Sequence, residues 1–133
     1  LCGEKISIHS NKEKTKAGSR FYIHTDDVYE AVMHICKMHK ENKLNLKEAE
    51  KFNIVGSEEI DNLELARRIS NILDKELIYE MVDFHTSRPG HDLRYALDGS
   101  KMRKMGWNPN DLTKRLEQTV NWYIDSNNIH WIE

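Results

Sequence analysis

Two arginines, a histidine and an aspartate surround a Pro-Gly pair in the stretch Arg88-Pro89-Gly90-His91-Asp92-Leu93-Arg94-Tyr95-Ala96-Leu97-Asp98. An arginine guanidinium presents a fork of N–H donors that matches phosphate oxygens. Proline fixes one backbone angle, and glycine lets the chain approach a ligand closely. Arg88, His91 and the rigid turn between them therefore have the make-up of an anion-binding loop. The same spacing also suits a solvated charged turn, the commoner use of such residues, and spacing alone does not separate the two.

Other chemistries are missing from the sequence. The glycines, Gly3, Gly18, Gly56, Gly90, Gly99 and Gly106, form neither a G-x-G-x-x-G cradle nor a P-loop. Tyr22, Tyr29, Tyr79, Tyr95 and Tyr123 are followed four residues on by Asp26, Met33, Asp83, Gly99 and Asn127, so no Tyr-x-x-x-Lys pair exists. No serine sits in a nucleophile elbow. His34 and His39 are spaced to lie off one helix face, and no H-E-x-x-H or C-x-x-C occurs, so no metal site is expected. Lys12, Lys14 and Lys16 alternate with Glu13 and neutral residues, the pattern of a solvated loop and not of a nucleic-acid surface.

The elements that must position the Arg88 turn are legible from periodicity. Ile6-Ser7-Ile8 is a short strand; residues 11–19 form a flexible polar loop; Phe21-Tyr22-Ile23 is extended. Asp26-Asp27 supplies an N-cap for a helix whose stripe is Val28, Ala31, Val32, Ile35 and His39. Residues 42–51 are polar loop with a helical turn. Phe52-Asn53-Ile54-Val55 has the composition of a buried strand stopped at Gly56. Asp61-Asn62-Leu63-Glu64 resembles a capping box for a helix striped by Leu63, Ala66, Ile69, Ile72 and Leu73. Residues 77–82 and 94–98 are strand-like. Residues 100–105 form a short helix with Gly106 at C′ and Pro109 barring continuation. Asp111 caps a last helix with Leu112, Leu116, Val120, Tyr123 and Ile124 on one face. The expected class is mixed α/β, with short strands and about four to five helices.

The chain's 133 residues suffice for one domain. Charged residues make up 32% and the net charge is −2, so no whole-chain field favours nucleic acid or an anionic membrane. Hydrophobic content of 38% is low for a self-sufficient globule and hints at missing partner surface. Cys2 and Cys36 give no disulfide framework, as expected of reduced thiols in a cytoplasmic protein. No apolar run approaches the roughly 20 residues of a membrane span, and no signal peptide opens the chain. The opening Leu1-Cys2-Gly3, without Met, is expected of a fragment or processed piece.

In order along the chain, several motifs resemble the C-terminal portion of an extended short-chain dehydrogenase/reductase, in particular the nucleoside-diphosphate-glucose (dTDP- or UDP-glucose) 4,6-dehydratases. They are Ser19-Arg20 with Tyr22-Ile23 and Asp27-Val28; Phe52-Asn53-Ile54; Asn62-Leu63; residues 88–98; Gly106-Trp107-Asn108-Pro109; and Thr119-Val120-Asn121-Trp122-Tyr123. Asn-Ile-Gly and Gly-Trp-x-Pro are generic to the superfamily. Arg-Pro-Gly-His-Asp followed by Arg-Tyr is more specific to the dehydratases. The resemblance implies that residues 1–133 are the sugar-nucleotide-binding lobe, and that an NAD-binding Rossmann domain with the catalytic residues lies outside this chain. It also implies a homodimeric parent enzyme. The parent reaction it implies is C4 oxidation by NAD, loss of water across C5–C6 and hydride return to C6, with no catalytic residue in this segment.

Residue by residue, Arg20 and Arg88 match the family's two diphosphate arginines. Each charge-assisted bond of that kind is worth roughly 1.5–3 kcal/mol. Arg20 is alternatively a partner for Asp26 or Asp27. Asn62 matches an asparagine beside the nucleotide at a helix N-terminus, or serves only in capping. Pro89, Gly90, His91 and Ser87 belong to the substrate loop, with Asp92 and Arg94 pairing to brace it. His9 lies on the strand that contacts the base. Departures from the family pattern mark a divergent member: His9 and His24 stand for tyrosines, Ser7 for proline, Phe21 for Asp or Asn, Val55 for glycine and Ser87 for aspartate. The loop at 11–19 and the segment at 37–51 are also longer than is usual in the family. The same lobe from a sugar-nucleotide 4-epimerase or decarboxylase, or a non-catalytic nucleotide-binding module, are the alternatives.

Overall fold

The computed structural model describes residues 3–44, 50–87, 92–125 and 127–128, with Ser87 described in its backbone only. Strand β1, Ile6–Ser10, is joined by a loop to β2, Ser19–Arg20. That loop is closed: Ser10 bridges Ala17, and the Asn11 side chain accepts from the Thr15 and Lys16 amides at 2.8 and 2.9 Å. A side-chain oxygen that satisfies two backbone donors builds the turn that the polar composition alone presents as flexible.

Helix α1 spans Thr25–Lys40. Its N-cap is His24, whose ring nitrogen accepts from the Asp26 amide at 3.1 Å; Asp26 and Asp27, expected as the cap, stand inside the first turn. There their charge still suits the positive end of the helix. Of the expected apolar stripe, Ala31 is fully buried and Ile35 half-buried, whereas Val28 and Val32 are exposed together with Tyr29 and Met33.

Residues 52–55, expected as a buried strand, join no ladder among the described residues. Packing takes the place of pairing. Phe52 and Ile54 lie against a core of Ala31, Met102 and Trp107, and Val55 is buried beside Gly99. Gly56 then passes so close to Tyr22 that an added Cβ would sit 1.9 Å from the Tyr22 carbonyl oxygen. Residues 21–23 likewise carry no ladder.

Strand β3, Ile60–Asp61, leads directly into α2, Asn62–Ile72. As the capping box requires, Asp61 is the N-cap and accepts from the Glu64 amide at 2.8 Å. Strand β4, Tyr79–Asp83, pairs in parallel with β1 and runs into α3, Phe84–Ser87, a short helix that the sequence pattern does not announce. Strand β5 is only Arg94–Tyr95, shorter than the strand expected over 94–98. Helix α4, Ser100–Lys104, ends as predicted, with Gly106 in the left-handed region at φ +89°. Helix α5, Leu112–Ile124, is capped by Asp111, which accepts from Lys114 at 3.1 Å. It buries Leu112 and Val120 but leaves Tyr123 and Ile124 exposed. The fold is thus mixed α/β, with five helices and short strands among the described residues. A two-stranded parallel sheet (β1-β4) stands beside a three-stranded sheet in the order β3-β2-β5.

An ionic cluster ties α1 to α5. Arg115 donates to Asp27 Oδ1 through Nε at 3.0 Å and Nη2 at 2.6 Å, and Asn110 donates to the same oxygen at 2.7 Å. Burial pushes the Asp27 carboxyl up. The bonds from Arg115 and Asn110, with the Arg115 charge, outweigh it and leave Asp27 below the usual carboxylate range.

Candidate functional site

Strand β2 is the hub. In register, Ser19 stands opposite Asp61 of β3 and Arg94 of β5, and Arg20 stands opposite Ile60 and Tyr95. Three backbone bonds extend this junction. Gly18 N donates to His9 O at 3.0 Å, Asn62 N donates to Gly18 O at 2.8 Å, and Ser19 N donates to Leu93 O at 2.9 Å. The residues around Gly18–Arg20 therefore gather His9 from β1, Asn62 from the start of α2, and the chain as it returns at Leu93. Close approach explains the glycine: an added Cβ at Gly18 would lie 3.1 Å from Leu93 O and 3.5 Å from Asn62 Nδ2.

Of the residues nominated from sequence, His9, Arg20 and Asn62 are brought together at this hub. His9 is half-buried, with its ring edge-on to Phe84 at 5.8 Å between centroids. Ser87 closes α3. Arg88, Pro89, Gly90 and His91 lie outside the described residues, and the segments on either side of them are α3 and Asp92-Leu93.

Arg20 is half-buried and makes no ion pair with any carboxylate among the described residues. Its guanidinium carbon lies 4.9 Å from the centre of the Tyr95 ring. Asp26 and Asp27, the acidic partners weighed for it, are engaged by Arg115 instead. Arg94 does not brace the loop through Asp92. It forms a bidentate pair with Glu59, Nε and Nη2 each at 2.7 Å, and Ser19 Oγ donates to the same carboxylate at 2.7 Å. The Arg94 and Ser19 hydrogen bonds hold the Glu59 carboxyl down at about 2. Arg94's charge is thereby used within the sheet, whereas Arg20 meets no carboxylate among the described residues.

Asn62 does more than open its helix. Tyr22 Oη donates to Asn62 Oδ1. Burial pushes the Tyr22 hydroxyl up, only partly offset by the charge and hydrogen bond of Arg20, with Asp61 adding to the rise. It thus stays protonated as a donor, and the Asn62 carboxamide is left to present its N–H₂.

Three residues at the hub escape a reading of the sequence. Glu59 carries no local mark of its cross-strand partners. Tyr22 shares a strand-like face with Arg20 by its i, i+2 spacing, which is the one available signal. Tyr95 meets Arg20 only through the β2–β5 register. A cleft of about 730 Å³ opens between residues 22–26, α2 and α5, lined by Leu65, Ile69, Leu116 and Trp122; it touches the hub at Tyr22 alone. Among the described residues no group of three or more His, Cys, Asp or Glu is placed to hold a metal ion, and no helix is long and apolar enough to cross a membrane.

A short-stranded lobe with an arginine free of carboxylate partners among the described residues and an asparagine at a helix start is consistent with the C-terminal part of an extended short-chain dehydrogenase/reductase. Within that class the chain is like the dTDP-glucose 4,6-dehydratases, in sequence and in fold. It is 37% identical over 94 residues to that enzyme of Shigella flexneri, covering 65% of this chain and 26% of the relative. An Escherichia coli dTDP-glucose 4,6-dehydratase is 28% identical over 98% of this chain and 36% of its own. The chain therefore spans about a quarter to a third of the length of these curated relatives. The dTDP-glucose 4,6-dehydratase of Streptomyces venezuelae, solved with NAD and TYD bound, superposes with a TM-score of 0.72 at 28% identity, over 97% of this chain and 36% of its own. A UDP-glucose 4-epimerase from Bifidobacterium longum, solved with NAD⁺ and UDP, reaches a TM-score of 0.74 over 94% of this chain and 36% of its own, at 18% identity, a likeness of fold alone. No protein-family model matches the chain. NAD accompanies these solved relatives, but the glycines and tyrosines of this chain do not fit a dinucleotide cradle or a Tyr-x-x-x-Lys pair.

Proposed function

We propose that residues 1–133 are the sugar-nucleotide-binding lobe of a dTDP- or UDP-glucose 4,6-dehydratase, an enzyme that converts the NDP-glucose to NDP-4-keto-6-deoxyglucose. The observation that carries this reading is the β3-β2-β5 register. It sets Arg20, free of any carboxylate partner among the described residues, between the helix start at Asn62 and the strand that leaves residues 88–91. Arg20 and Arg88 hold the diphosphate, Asn62 presents its N–H₂ toward the nucleotide, Ser87, Pro89, Gly90 and His91 belong to the substrate loop, and His9 lies on the strand that contacts the base. Binding the nucleotide handle fixes the sugar against the reacting groups of the other domain, so remote binding energy is spent on orientation.

NAD and the catalytic residues belong to a Rossmann half outside these residues, in a cytoplasmic, homodimeric parent. The exposed apolar face of α1, with Val28, Tyr29, Val32 and Met33, supports packing against such a half. In superpositions over nearly the whole chain, identity is 28% to the Streptomyces dehydratase against 18% to the epimerase, which favours loss of water over epimerisation.

Calorimetric titration with dTDP and UDP tests the lobe. Arg20→Ala and Arg88→Ala should each weaken binding about tenfold to a hundredfold. Wild-type affinity in both variants would falsify the diphosphate assignment. In the parent enzyme, mass spectrometry of the product separates the reactions, because only dehydration yields a product lighter by one water.

A further inference from the structure

We infer that Tyr95 is a positioning residue that ties Arg20 to the backbone at Asp92; this rests on the diphosphate reading of Arg20. Two contacts from opposite ends of the side chain carry it. The ring face lies under the Arg20 guanidinium at 4.9 Å. The hydroxyl accepts from the Asp92 amide at 3.3 Å, where the chain comes back from residues 88–91.

The backbone reinforces the link, because Arg20 and Tyr95 are register partners in the parallel β2–β5 ladder. Tyr95 is 43% exposed, so burial of its ring is not what the fold gains from it. A flexible arginine without a carboxylate partner samples many rotamers. An aromatic face beneath it restricts these before a ligand arrives and lowers the ordering cost of binding. The hydroxyl adds the second half of the device: a shift of Arg20 is felt at Asp92.

The two contacts separate by substitution. Tyr95→Leu removes both, while Tyr95→Phe keeps the ring and removes the acceptor. Calorimetry with dTDP should show about a threefold to fivefold loss for Tyr95→Leu, the size of an exposed cation–π contact, and a smaller loss for Tyr95→Phe. In an Arg20→Ala background, Tyr95→Leu should cost no more than Tyr95→Phe does with Arg20 in place, whereas a merely structural role would weaken binding equally in both backgrounds. Nitrogen-15 relaxation of Arg20 Nε without ligand should report a more mobile guanidinium in Tyr95→Leu and an unchanged one in Tyr95→Phe. Additive losses, or an Arg20 equally ordered in all three proteins, would overturn the inference. If the wild type binds neither dTDP nor UDP, the nucleotide reading fails by itself, and the relaxation data still decide whether Tyr95 restrains Arg20.

Discussion

Replacing Arg115 with methionine should destabilise the protein by about 3–5 kcal/mol, because it strands a buried carboxylate. The Asp27 side chain is 3% exposed and that of Arg115 10%, so neither charge is hydrated in compensation. Two of the three hydrogen bonds to Asp27 Oδ1 come from Arg115 and disappear, leaving Asn110 at 2.7 Å. Methionine keeps most of the aliphatic volume, so the loss is one of charge and not of a cavity. With an m-value of about 2 kcal/mol/M, the urea midpoint should fall by about 1.5–2.5 M.

The pH dependence supplies a second readout. In the wild type Asp27 is held below its ordinary value, so its contribution is present above that value and is lost as pH falls through the depressed one. In Arg115→Met only burial and Asn110 act on the carboxyl, and its folded pKa rises above the unfolded one. The variant then loses stability as pH rises through that raised value, and the gap to wild type should narrow in acid. Adding Asp27→Asn should recover at least half of the loss. A single variant that costs under about 1 kcal/mol, or a gap independent of pH, would show that the Asp27–Arg115 pair does not hold α1 to α5.

The remaining expectations are simpler. Gly56→Ala should cost at least about 1–3 kcal/mol in thermal or urea unfolding, since its Cβ would fall 1.9 Å from the Tyr22 carbonyl oxygen and backbone must move; wild-type stability would refute the close approach. The Glu59 carboxyl, followed by carbon-13 NMR, should titrate at about 2, and Arg94→Ala should move its midpoint up toward the ordinary glutamate range. Its contribution to stability is present above that ordinary range and is lost as pH falls toward 2.

The N-caps of α2 and α5 and the C-terminus of α4 were legible because they depend on residues close in sequence. Asp61 and Asp111 cap where the pattern places them, and Gly106 takes the left-handed conformation a C′ residue needs. Errors arose where distant groups compete for the same residue. Asp27 has the composition of an N-cap, but His24 supplies the cap and Arg115, far along the chain, takes the carboxylate. Residues 52–55 have strand composition, yet their apolar side chains pack on Met102 and Trp107 without a ladder. Arg94 has Asp92 beside it in sequence but reaches Glu59 in the fold. At the site, Arg20 and Asn62 could be nominated through the family resemblance. Their neighbours Tyr95 and Glu59 depend on register, which no local pattern encodes, and only the i, i+2 spacing marks Tyr22.

That register is what a two-residue strand is least able to fix. Strands as short as β2, β3 and β5 contribute few ladder bonds, and a small isolated sheet is marginal in water. A slip by one residue would turn Arg20 to the opposite face and separate it from Tyr95. Glu59 resists that slip with side chains. From the residue before β3 it binds Ser19 of β2 and, bidentately, Arg94 of β5, so one carboxylate spans all three strands. The backbone of Gly18 adds a second lock by accepting from Asn62 and donating to His9. The charged residues of the lobe therefore divide their labour. Arg94 and Glu59 spend their charge on one another to fix the alignment, and that alignment stacks Arg20 on Tyr95 without a carboxylate partner among the described residues, as the proposed diphosphate role requires.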